Sequence, residues 1–257
     1  MNVLGLSFVR NAEERLPGAL DSMAIYCDEI YAVDDRSTDC TPDILRQHPA
    51  VTNVFTAPAG LSDAPWYFPE HMLLDLLYRM ADLSQPDWVV ILSADEHIEP
   101  AERVRPLLSE AGARTAGIQM NLVSAWNDER FPFMVPVMGQ ARSQAGRIWR
   151  YQPGLRSEGK RLHNSYFPAN IGDYGRVEFT NELVIEHAGW ATLAERIAKV
   201  DLYTALDPKL ELNNGIPYDV GLLFGFQRDC IDDLIREYER RVDLIRAAPP
   251  QEPRETT

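Results

Sequence analysis

The stretch Asp87-Trp88-Val89-Val90-Ile91-Leu92-Ser93-Ala94-Asp95-Glu96-His97 decides how the rest of the chain is interpreted. Its apolar part, Trp88 to Leu92, is rich in β-branched residues and is typical of a strand buried on both faces of a sheet. Two acids and a histidine follow at the carboxyl end, where open α/β sheets bind their ligands. A carboxylate there can hold a hard divalent cation and, through it, a phosphorylated ligand. The alternative is a strand that runs into an ordinary polar loop.

Strand and helix patterns alternate through the first part of the chain. The predicted strands span residues 2–8, 29–33, 51–55 and 88–92, and the predicted helices begin near residues 16, 41, 69 and 100. For the second helix, Thr41 is predicted as the N-cap and Pro42 as the first helical residue. This alternation predicts an α/β fold with a Rossmann-like, mostly parallel twisted sheet and helices on both faces. Because no glycine-rich dinucleotide or P-loop motif occurs, it is not an ordinary dinucleotide or P-loop fold.

The pattern changes after residue 115. Strands are predicted at residues 117–123, 147–151 and 183–186, and the long loops between them, 124–144 and 164–177, are of the kind that is usually functional. Thr192 and Glu195 form a predicted capping box for a helix that ends near Leu206. We predict a catalytic domain over residues 1–210, a C-terminal helical extension over 211–248 and a disordered tail over 249–257. The extension is interpreted as a packing helix or a homodimer contact.

Composition limits the classes of partner. The net charge of −14 over 257 residues argues against general binding to nucleic acid or anionic membranes, since both require a basic face. The three cysteines are widely spaced and odd in number, which favours a reduced, cytoplasmic protein. No apolar run is long enough for a signal peptide or a membrane span, so a soluble acceptor is expected.

Several segments, taken in order from about residue 3 to residue 208, resemble one family. The strongest are Val9-Arg10-Asn11-Ala12-Glu13-Glu14, Val33 to Thr41 and Asp87 to Glu96, with weaker similarity at 146–150, 159–163 and 187–192. Together they resemble the GT-A-fold glycosyltransferases of family 2, particularly the bacterial branch that includes lipopolysaccharide-core β-glycosyltransferases. The resemblance implies a metal-dependent, inverting transfer of a sugar from a nucleoside-diphosphate-sugar donor to a small-molecule or glycan acceptor.

The resemblance also assigns a metal site. Asp95 would ligate Mn²⁺ or Mg²⁺ bridging the donor diphosphate, a Lewis-acid role, and His187 would complete the metal shell. Ser93 and Ala94 would line the nucleotide site beside it. The alternative for His187 is a histidine that bonds nearby backbone.

A nucleotide site is implied at the end of the second strand. Asp35 would accept an N–H from the base edge, with Asp34 shaping the pocket and Phe8 and Arg10 flanking the base. The alternative for the two acids is turn formation around residues 37–38.

The chain departs from the family pattern at three positions. The family usually has Asp where this chain has Ser93, so the first acid of the Asp-x-Asp signature is missing. Its His-Glu pair is His163-Asn164 here, which implies that the role of that glutamate has moved or that the acceptor differs. Arg36 replaces a small residue and either reaches a phosphate or is a solvated turn residue.

The general base of the reaction is not identified by the pattern. Candidates in loops that could border the acceptor are Asp128, His163, Asp173 and Glu178, each of which is alternatively a surface group. Trp126 and Trp190 could stack on sugar rings or be packed in the core. Lys199 and Arg147 are candidate contacts to the diphosphate.

Two other functions stay open. One is a nucleotidyltransferase, although the segment from Val9 to Leu16 lacks the glycines expected of its phosphate loop. The other is a non-catalytic GT-A-like domain that binds a nucleotide sugar, which Ser93 and Asn164 favour. The sequence leaves open the donor sugar, its base, the acceptor and the oligomeric state.

Overall fold

A computed structural model describes residues 1–58, 70–126, 129–132, 144–160, 164–189, 191–207 and 209. The strands in these ranges are β1 Val3–Val9, β2 Glu29–Asp34, β3 Val51–Thr56, β4 Trp88–Ile91, β5 Glu96–Glu99, β6 Thr115–Trp126, β7 Glu129–Pro132, β8 Gln144–Arg150 and β9 Arg176–His187. The helices are α1 Leu16–Tyr26, α2 Thr41–Gln47, α3 Glu70–Ser84, α4 Ala101–Glu110 and α5 Leu193–Leu206, with a 3₁₀ turn at Ile171–Asp173.

The strands form one mixed sheet in the order β3-β2-β1-β4-β8-β6-β9-β5, and β7 pairs with β6. The pairs among β3, β2, β1 and β4 are parallel, as the alternating pattern predicted. Beyond β4 the sheet is mixed: β8 is antiparallel to both β4 and β6, whereas β9 is parallel to β6. The predicted α/β class and parallel first half are therefore confirmed.

Strand β4 is buried on both faces of the sheet. Val90 packs into an apolar cluster with residues of α1 and α4, such as Leu20 and Val104, and all three are 0% exposed. Its neighbour Val89 faces the opposite cluster, where Leu77 of α3 is also 0% exposed. Alternate residues thus enter two separate cores, which is why the continuous apolar run in the sequence predicted a central strand.

The residues that follow β4 do not form the ordinary polar loop that was the alternative interpretation of this stretch. Glu96 to Glu99 form β5, which pairs with the end of β9 in antiparallel register. Ile98 is buried in the core, and the carboxylate of Glu96 is buried against Arg147. Pairing with β9 and the ion pair with Arg147 of β8 therefore stabilise β5, although its sequence is polar enough to resemble a loop.

Two further local predictions differ from the structure. Part of the predicted loop 124–144 is strand, because β6 continues to Trp126 and pairs with β7. Thr41 is the first residue of α2 rather than its N-cap, and its hydroxyl accepts a hydrogen bond from the N–H of Ala12 at 2.7 Å. By contrast, the predicted capping box between Thr192 and Glu195 is present at the start of α5.

The predicted C-terminal extension at 211–248 and tail at 249–257 lie outside the described residues, as does any dimer contact through them. Among the helices in the described ranges, none has the length and apolar character needed to cross a membrane.

Candidate functional site

The carboxyl ends of three adjacent parallel strands bring the predicted nucleotide and metal residues to one edge of the sheet. Strand β1 lies between β2 and β4, so the residues that follow each strand are neighbours. Phe8 and Arg10 come from the end of β1, Asp34 and Asp35 from the end of β2, and Ser93, Ala94 and Asp95 follow β4. Motifs that are far apart in sequence therefore lie side by side at the carboxyl ends of the strands, where open α/β sheets bind ligands in a crevice.

Asp95 lies against an imidazole and an ammonium group. Its Oδ2 atom lies 3.4 Å from Nε2 of His187 at the end of β9 and 3.4 Å from Nζ of Lys199 on α5. The backbone oxygen of Asp95 accepts a 2.7 Å hydrogen bond from the N–H of Ala188, which fixes the two segments together. Residues more than ninety positions apart in sequence thus meet at the end of β4.

The charges around Asp95 keep its carboxyl group ionised. Burial by itself would raise the pKa of Asp95, but the nearby His187 and Lys199 lower it well below its usual range. The side chain is still 22% exposed, so the carboxylate remains accessible from the crevice.

The pair Asp95 and His187 fits a divalent cation. A separation of 3.4 Å between the carboxylate oxygen and the imidazole nitrogen is compatible with two ligands of one ion, each roughly 2.1 Å from it. No group of three or more acidic, histidine or cysteine side chains suited to a metal occurs in the ranges that the structure describes. Two protein ligands are nevertheless common for Mg²⁺ bound together with substrate phosphates, which supply further oxygens.

Asp35 is buried and is held by two arginines. Its Oδ2 atom accepts a hydrogen bond from Arg10 at 3.1 Å, and its Oδ1 atom accepts one from Arg36 at 3.0 Å. Arg36 has a positive φ of 56°, which turns the chain sharply after β2. The sequence left open whether Arg36 reaches a phosphate or is a solvated turn residue. Its hydrogen bond to Asp35 argues against a purely solvated turn residue, and Arg36 therefore belongs to the Asp35 site.

Asp34 has a different role in the same turn. Its carboxylate accepts hydrogen bonds from the N–H of Ser37 at 3.2 and 3.4 Å, which is the turn formation that the sequence left open. Asp34 thus shapes the loop, and Asp35 faces the two arginines.

A second buried ion pair lies next to the Asp95 cluster. Arg147 of β8 binds the carboxylate of Glu96 through two hydrogen bonds, Nε to Oε2 at 2.9 Å and Nη2 to Oε1 at 2.7 Å. Its guanidinium also lies over the ring of Tyr166, 4.3 Å from the ring centroid. Burial would raise the pKa of Glu96, and the charge of Arg147 lowers it instead. Arg147, a predicted diphosphate contact, therefore has its guanidinium engaged by Glu96.

Tyr166 links this ion pair to the nucleotide side of the crevice. Its hydroxyl lies 2.9 Å from Oγ of Ser93, and its ring packs edge-on against Phe8 with the centroids 5.3 Å apart. Sequence reasoning missed Tyr166 because it lies in a loop without a periodic pattern. In the structure the next residue, Phe167, packs its ring where a Cβ at Gly117 or Gly146 would overlap it, and this packing fixes the same loop against the sheet.

A third carboxylate, Glu70, borders the same loop. Its Oε2 atom accepts two hydrogen bonds from Asn164, one from the backbone N–H at 2.9 Å and one from Nδ2 at 3.1 Å. Burial raises the pKa of Glu70, and the two hydrogen bonds oppose that effect. Sequence reasoning treated Glu70 as part of an amphipathic helix and did not find this contact.

The predicted acceptor and base residues are only partly described. Asp128, His163 and Trp190 lie outside the described residues, and Trp126 is described only as the last residue of β6. Asp173 is exposed in the 3₁₀ turn before β9, and Glu178 bonds Thr115 near the start of that strand.

The structure does not bring Asp173 to the site. The β6–β9 register runs from Thr115 opposite Arg176 to Ser124 opposite His187, so the two ends of this pair are roughly 30 Å apart at about 3.3 Å per residue. Because His187 lies at the site end, Asp173 lies at the opposite edge of the sheet. Its role as a catalytic base stays a prediction that this placement does not favour.

No family model matches the chain. The uncharacterized proteins Mb3815c of Mycobacterium bovis and Rv3786c of Mycobacterium tuberculosis are each 44% identical to it over 242 residues, covering 94% of this chain and 60% of the relative. The chain thus spans about 60% of the length of these curated relatives.

Solved structures match over most of the chain. S. aureus TarS 1–349 in complex with UDP-GlcNAc matches with a TM-score of 0.51 and 11% identity, covering 95% of this chain and 84% of that chain. Glucosyl-3-phosphoglycerate synthase from Mycobacterium tuberculosis, in complex with Mn²⁺, UDP and glucosyl-3-phosphoglycerate, has a TM-score of 0.48 and 15% identity, covering 83% of this chain and 80% of that chain.

The sheet order, the helices on both faces and the match to TarS show a GT-A-type fold. The predicted fold class is confirmed.

Proposed function

We propose that this chain is a metal-dependent, inverting glycosyltransferase of family 2 that moves a sugar from a nucleoside-diphosphate-sugar donor to a hydroxyl-bearing acceptor. The GT-A-type fold supports this proposal, since the TarS structure that shares it holds UDP-GlcNAc. The ordered sequence motifs support the assignment to family 2.

The observation that carries the proposal is the cluster at Asp95. An ionised carboxylate lies at the crevice end of β4, with an imidazole and an ammonium group each 3.4 Å from the same oxygen. A Mn²⁺ or Mg²⁺ ion held by Asp95 and His187 would neutralise the charge that develops on the departing diphosphate. Lys199, 3.4 Å from the same carboxylate oxygen, can donate N–H groups to a phosphate oxygen.

The Asp35 site suits the base of the donor. Oδ2 of Asp35 accepts a hydrogen bond from Arg10, and both Nε and Nη2 of Arg36 lie 3.0 Å from Oδ1. A carboxylate offers about four acceptor sites, so Oδ2 has capacity for an N–H of the base. Phe8 beside it offers an aromatic surface for the base or ribose. Asp35 and Asp95 are far apart in sequence, but the parallel pairing of β1 with both β2 and β4 brings them to the same edge of the sheet.

Donor hydrolysis tests the proposal without knowledge of the acceptor, because water can take the acceptor's place. The chain is incubated with Mn²⁺ and UDP-, GDP- and dTDP-sugars, and release of the nucleoside diphosphate is measured. We expect one donor class to be hydrolysed and Asp95→Asn to reduce the rate about 10²- to 10³-fold, the usual effect of removing one such electrostatic group. Binding of the matching nucleoside diphosphate, measured by calorimetry, should require the cation in the wild type.

The matched control is Asp87→Asn. Asp87 precedes the same strand at its other end, is 58% exposed and bonds the N–H of Asn2 at 2.7 Å. This variant should hydrolyse the donor at the wild-type rate. An Asp95→Asn protein as active as the wild type would contradict the proposal, and a wild type that binds a nucleotide sugar without hydrolysing it would support the non-catalytic alternative.

A further inference from the structure

Glu70 is a partly buried carboxylate that packing and charge pairing do not explain. It is the first residue of α3, and within the described part of the chain both hydrogen bonds to its carboxylate come from Asn164 and end on Oε2. Among the described residues, none donates a hydrogen bond to Oε1 and no Lys, Arg or His forms a salt bridge with Glu70. Desolvating a carboxylate without a cation costs free energy, so its retention needs a reason.

Glu70 is connected to the Asp95 site through the segment that carries Asn164 and Tyr166. Asn164 and Tyr166 lie on one short segment, and the Tyr166 hydroxyl reaches Ser93, two residues before Asp95. This segment is pressed onto the sheet by Phe167, whose ring covers Gly117 and Gly146. A continuous series of contacts therefore joins the Glu70 carboxylate to the candidate metal site.

Helix α5 faces both carboxylates. Lys199 and Tyr203 are four residues apart and so lie on one side of the helix. Lys199 contacts Asp95 at 3.4 Å, and the Tyr203 phenol is within electrostatic range of both Glu70 and Asp95. The groups that interact electrostatically with Glu70 are Arg147 of β8, Glu158 of the loop after it, Tyr166, Tyr78 of α3 and Tyr203 of α5.

Glu70 and Asp95 have different surroundings. The Asp95 carboxylate lies against the imidazole of His187 and the ammonium group of Lys199, whereas Glu70 is bonded by the amide groups of Asn164. Burial also raises the pKa of Glu70 above its usual value, which suits a carboxylate that takes up a proton.

We propose that Glu70 is the general base that takes the proton of the acceptor hydroxyl, an inference that rests on the proposed function. As the acceptor oxygen bonds to the anomeric carbon, its proton passes to the Glu70 carboxylate. The bond from that carbon to the β-phosphate oxygen breaks, and its electron pair leaves with the nucleoside diphosphate. Asn164 is a positioning residue that holds Oε2 and leaves Oε1 to face the hydroxyl.

Azide distinguishes a base from a residue that only supports the structure. Water must lose a proton when it attacks the donor, whereas azide attacks without losing one and yields a glycosyl azide. With the donor that the wild type hydrolyses, Glu70→Gln should lower hydrolysis about 10²- to 10⁴-fold, the usual contribution of a general base. The rate of glycosyl azide formation should stay within about twofold of the wild type, since Asp95 and the nucleotide site are intact.

The pH profile is a second readout. Hydrolysis by the wild type should fall at low pH as Glu70 becomes protonated, Glu70→Asp should keep this acidic limb, and Glu70→Gln should lose it. The control is Asp82→Asn, which removes an exposed carboxylate near the other end of α3 that bonds only the Tyr151 hydroxyl among the described residues. It should match the wild type in both reactions.

The outcomes separate this inference from the proposed function. A wild type that neither binds nor hydrolyses any nucleotide sugar would refute the proposed function. An active wild type with equally active Glu70→Gln, or with azide transfer and hydrolysis reduced alike in that variant, would overturn the role of Glu70. Where the wild type forms no glycosyl azide, the acidic limb decides: its persistence in Glu70→Gln overturns the inference.

Asn164→Ala covers the case in which Glu70→Gln does not fold. It leaves the carboxylate in place and removes the side-chain hydrogen bond that favours its ionised form. The acidic limb should therefore move to higher pH, and an unchanged limb would contradict the proposed role.

Discussion

At the scale of single residues, Gly189 determines how closely the chain approaches the candidate metal ligand. It follows β9 directly after His187 and Ala188 and is buried. A Cβ at this position would overlap the Oδ2 atom of Asp95 and the Nζ atom of Lys199. A side chain at this position would force the ends of Asp95 and Lys199 to move, so the geometry of the cluster depends on this glycine.

Gly189→Ala should disturb the Asp95 cluster without removing any of its charged groups. The added methyl group displaces the carboxylate or the lysine, and we expect Mn²⁺ affinity in the presence of nucleoside diphosphate to fall about 10- to 100-fold, the usual effect of disturbing groups that orient a ligand. Calorimetric titration measures the change.

The control for that substitution is Gly172→Ala. A Cβ at Gly172 meets no atom within 4 Å, and the glycine lies in the 3₁₀ turn at the opposite edge of the sheet. Its Mn²⁺ affinity should equal that of the wild type. Equal affinities in all three proteins would show that Asp95 does not hold the cation.

At the scale of elements, α5 is the helix that completes the site. Its first turn is closed by the capping box, in which the Thr192 hydroxyl accepts the N–H of Glu195 at 3.2 Å and the Glu195 carboxylate accepts the N–H of Thr192 at 2.8 Å. Glu195 also forms an ion pair with Arg15 at the start of α1. The cap thus fixes the beginning of the helix that carries Lys199 and Tyr203.

Thr192→Ala should lower the free energy of unfolding by about 1 kcal/mol, since the N-cap hydroxyl is lost and the N–H of Glu195 is left without it. Urea unfolding followed by tryptophan fluorescence measures this loss. Thr192→Ser retains the hydroxyl and should recover most of the stability. A Thr192→Ala protein as stable as the wild type would show that the cap does not hold α5 in the folded chain.

At the scale of the whole molecule, the fold buries ionisable groups between the sheet and its two helical layers. Cys27, at the end of α1, packs in the same core as Val90 and is 7% exposed. Burial raises the pKa of the Cys27 thiol well above its ordinary value, and the charge of Asp28 adds to this effect while Arg105 opposes it. The folded protein therefore keeps this proton at pH values where the unfolded chain loses it.

This difference predicts alkaline destabilisation. Above pH about 8.5 the unfolded chain binds one proton fewer at Cys27 than the folded chain, so stability falls by about 1.4 kcal/mol per pH unit from this group. The contribution of the protonated Cys27 thiol to the free energy of unfolding is fully present below that pH and is lost as the pH rises toward the raised pKa of the folded thiol. Cys27→Ala should show a shallower decline by this amount in urea unfolding between pH 7.5 and 10. Parallel declines in the two proteins would contradict the prediction.

The sequence by itself determined the parts of this protein that are encoded locally. The apolar run Trp88–Leu92 indicated a strand with two buried faces, and the alternation of strand and helix indicated the parallel half of the sheet. The acids placed directly after strands, Asp35 and Asp95, could be assigned to the crevice because parallel strands end at one edge. The Thr192–Glu195 capping box could be recognised because its two partners are only three residues apart.

Only the tertiary structure decided which distant residues meet. The segment of β5 is polar in sequence and could be interpreted as a loop. The residue that neutralises Glu96 is Arg147, which lies 51 residues away and is not visible in the local pattern. Lys199 and Asp95 are separated by 104 residues, and Glu70 and Asn164 by 94, so no local pattern reveals either contact. The same reason applies to Asp173, which looked suitable in sequence and lies before β9, at the end of the strand opposite His187. Local periodicity encodes elements, whereas contacts between elements depend on sheet order and register, which the pattern of one segment does not contain.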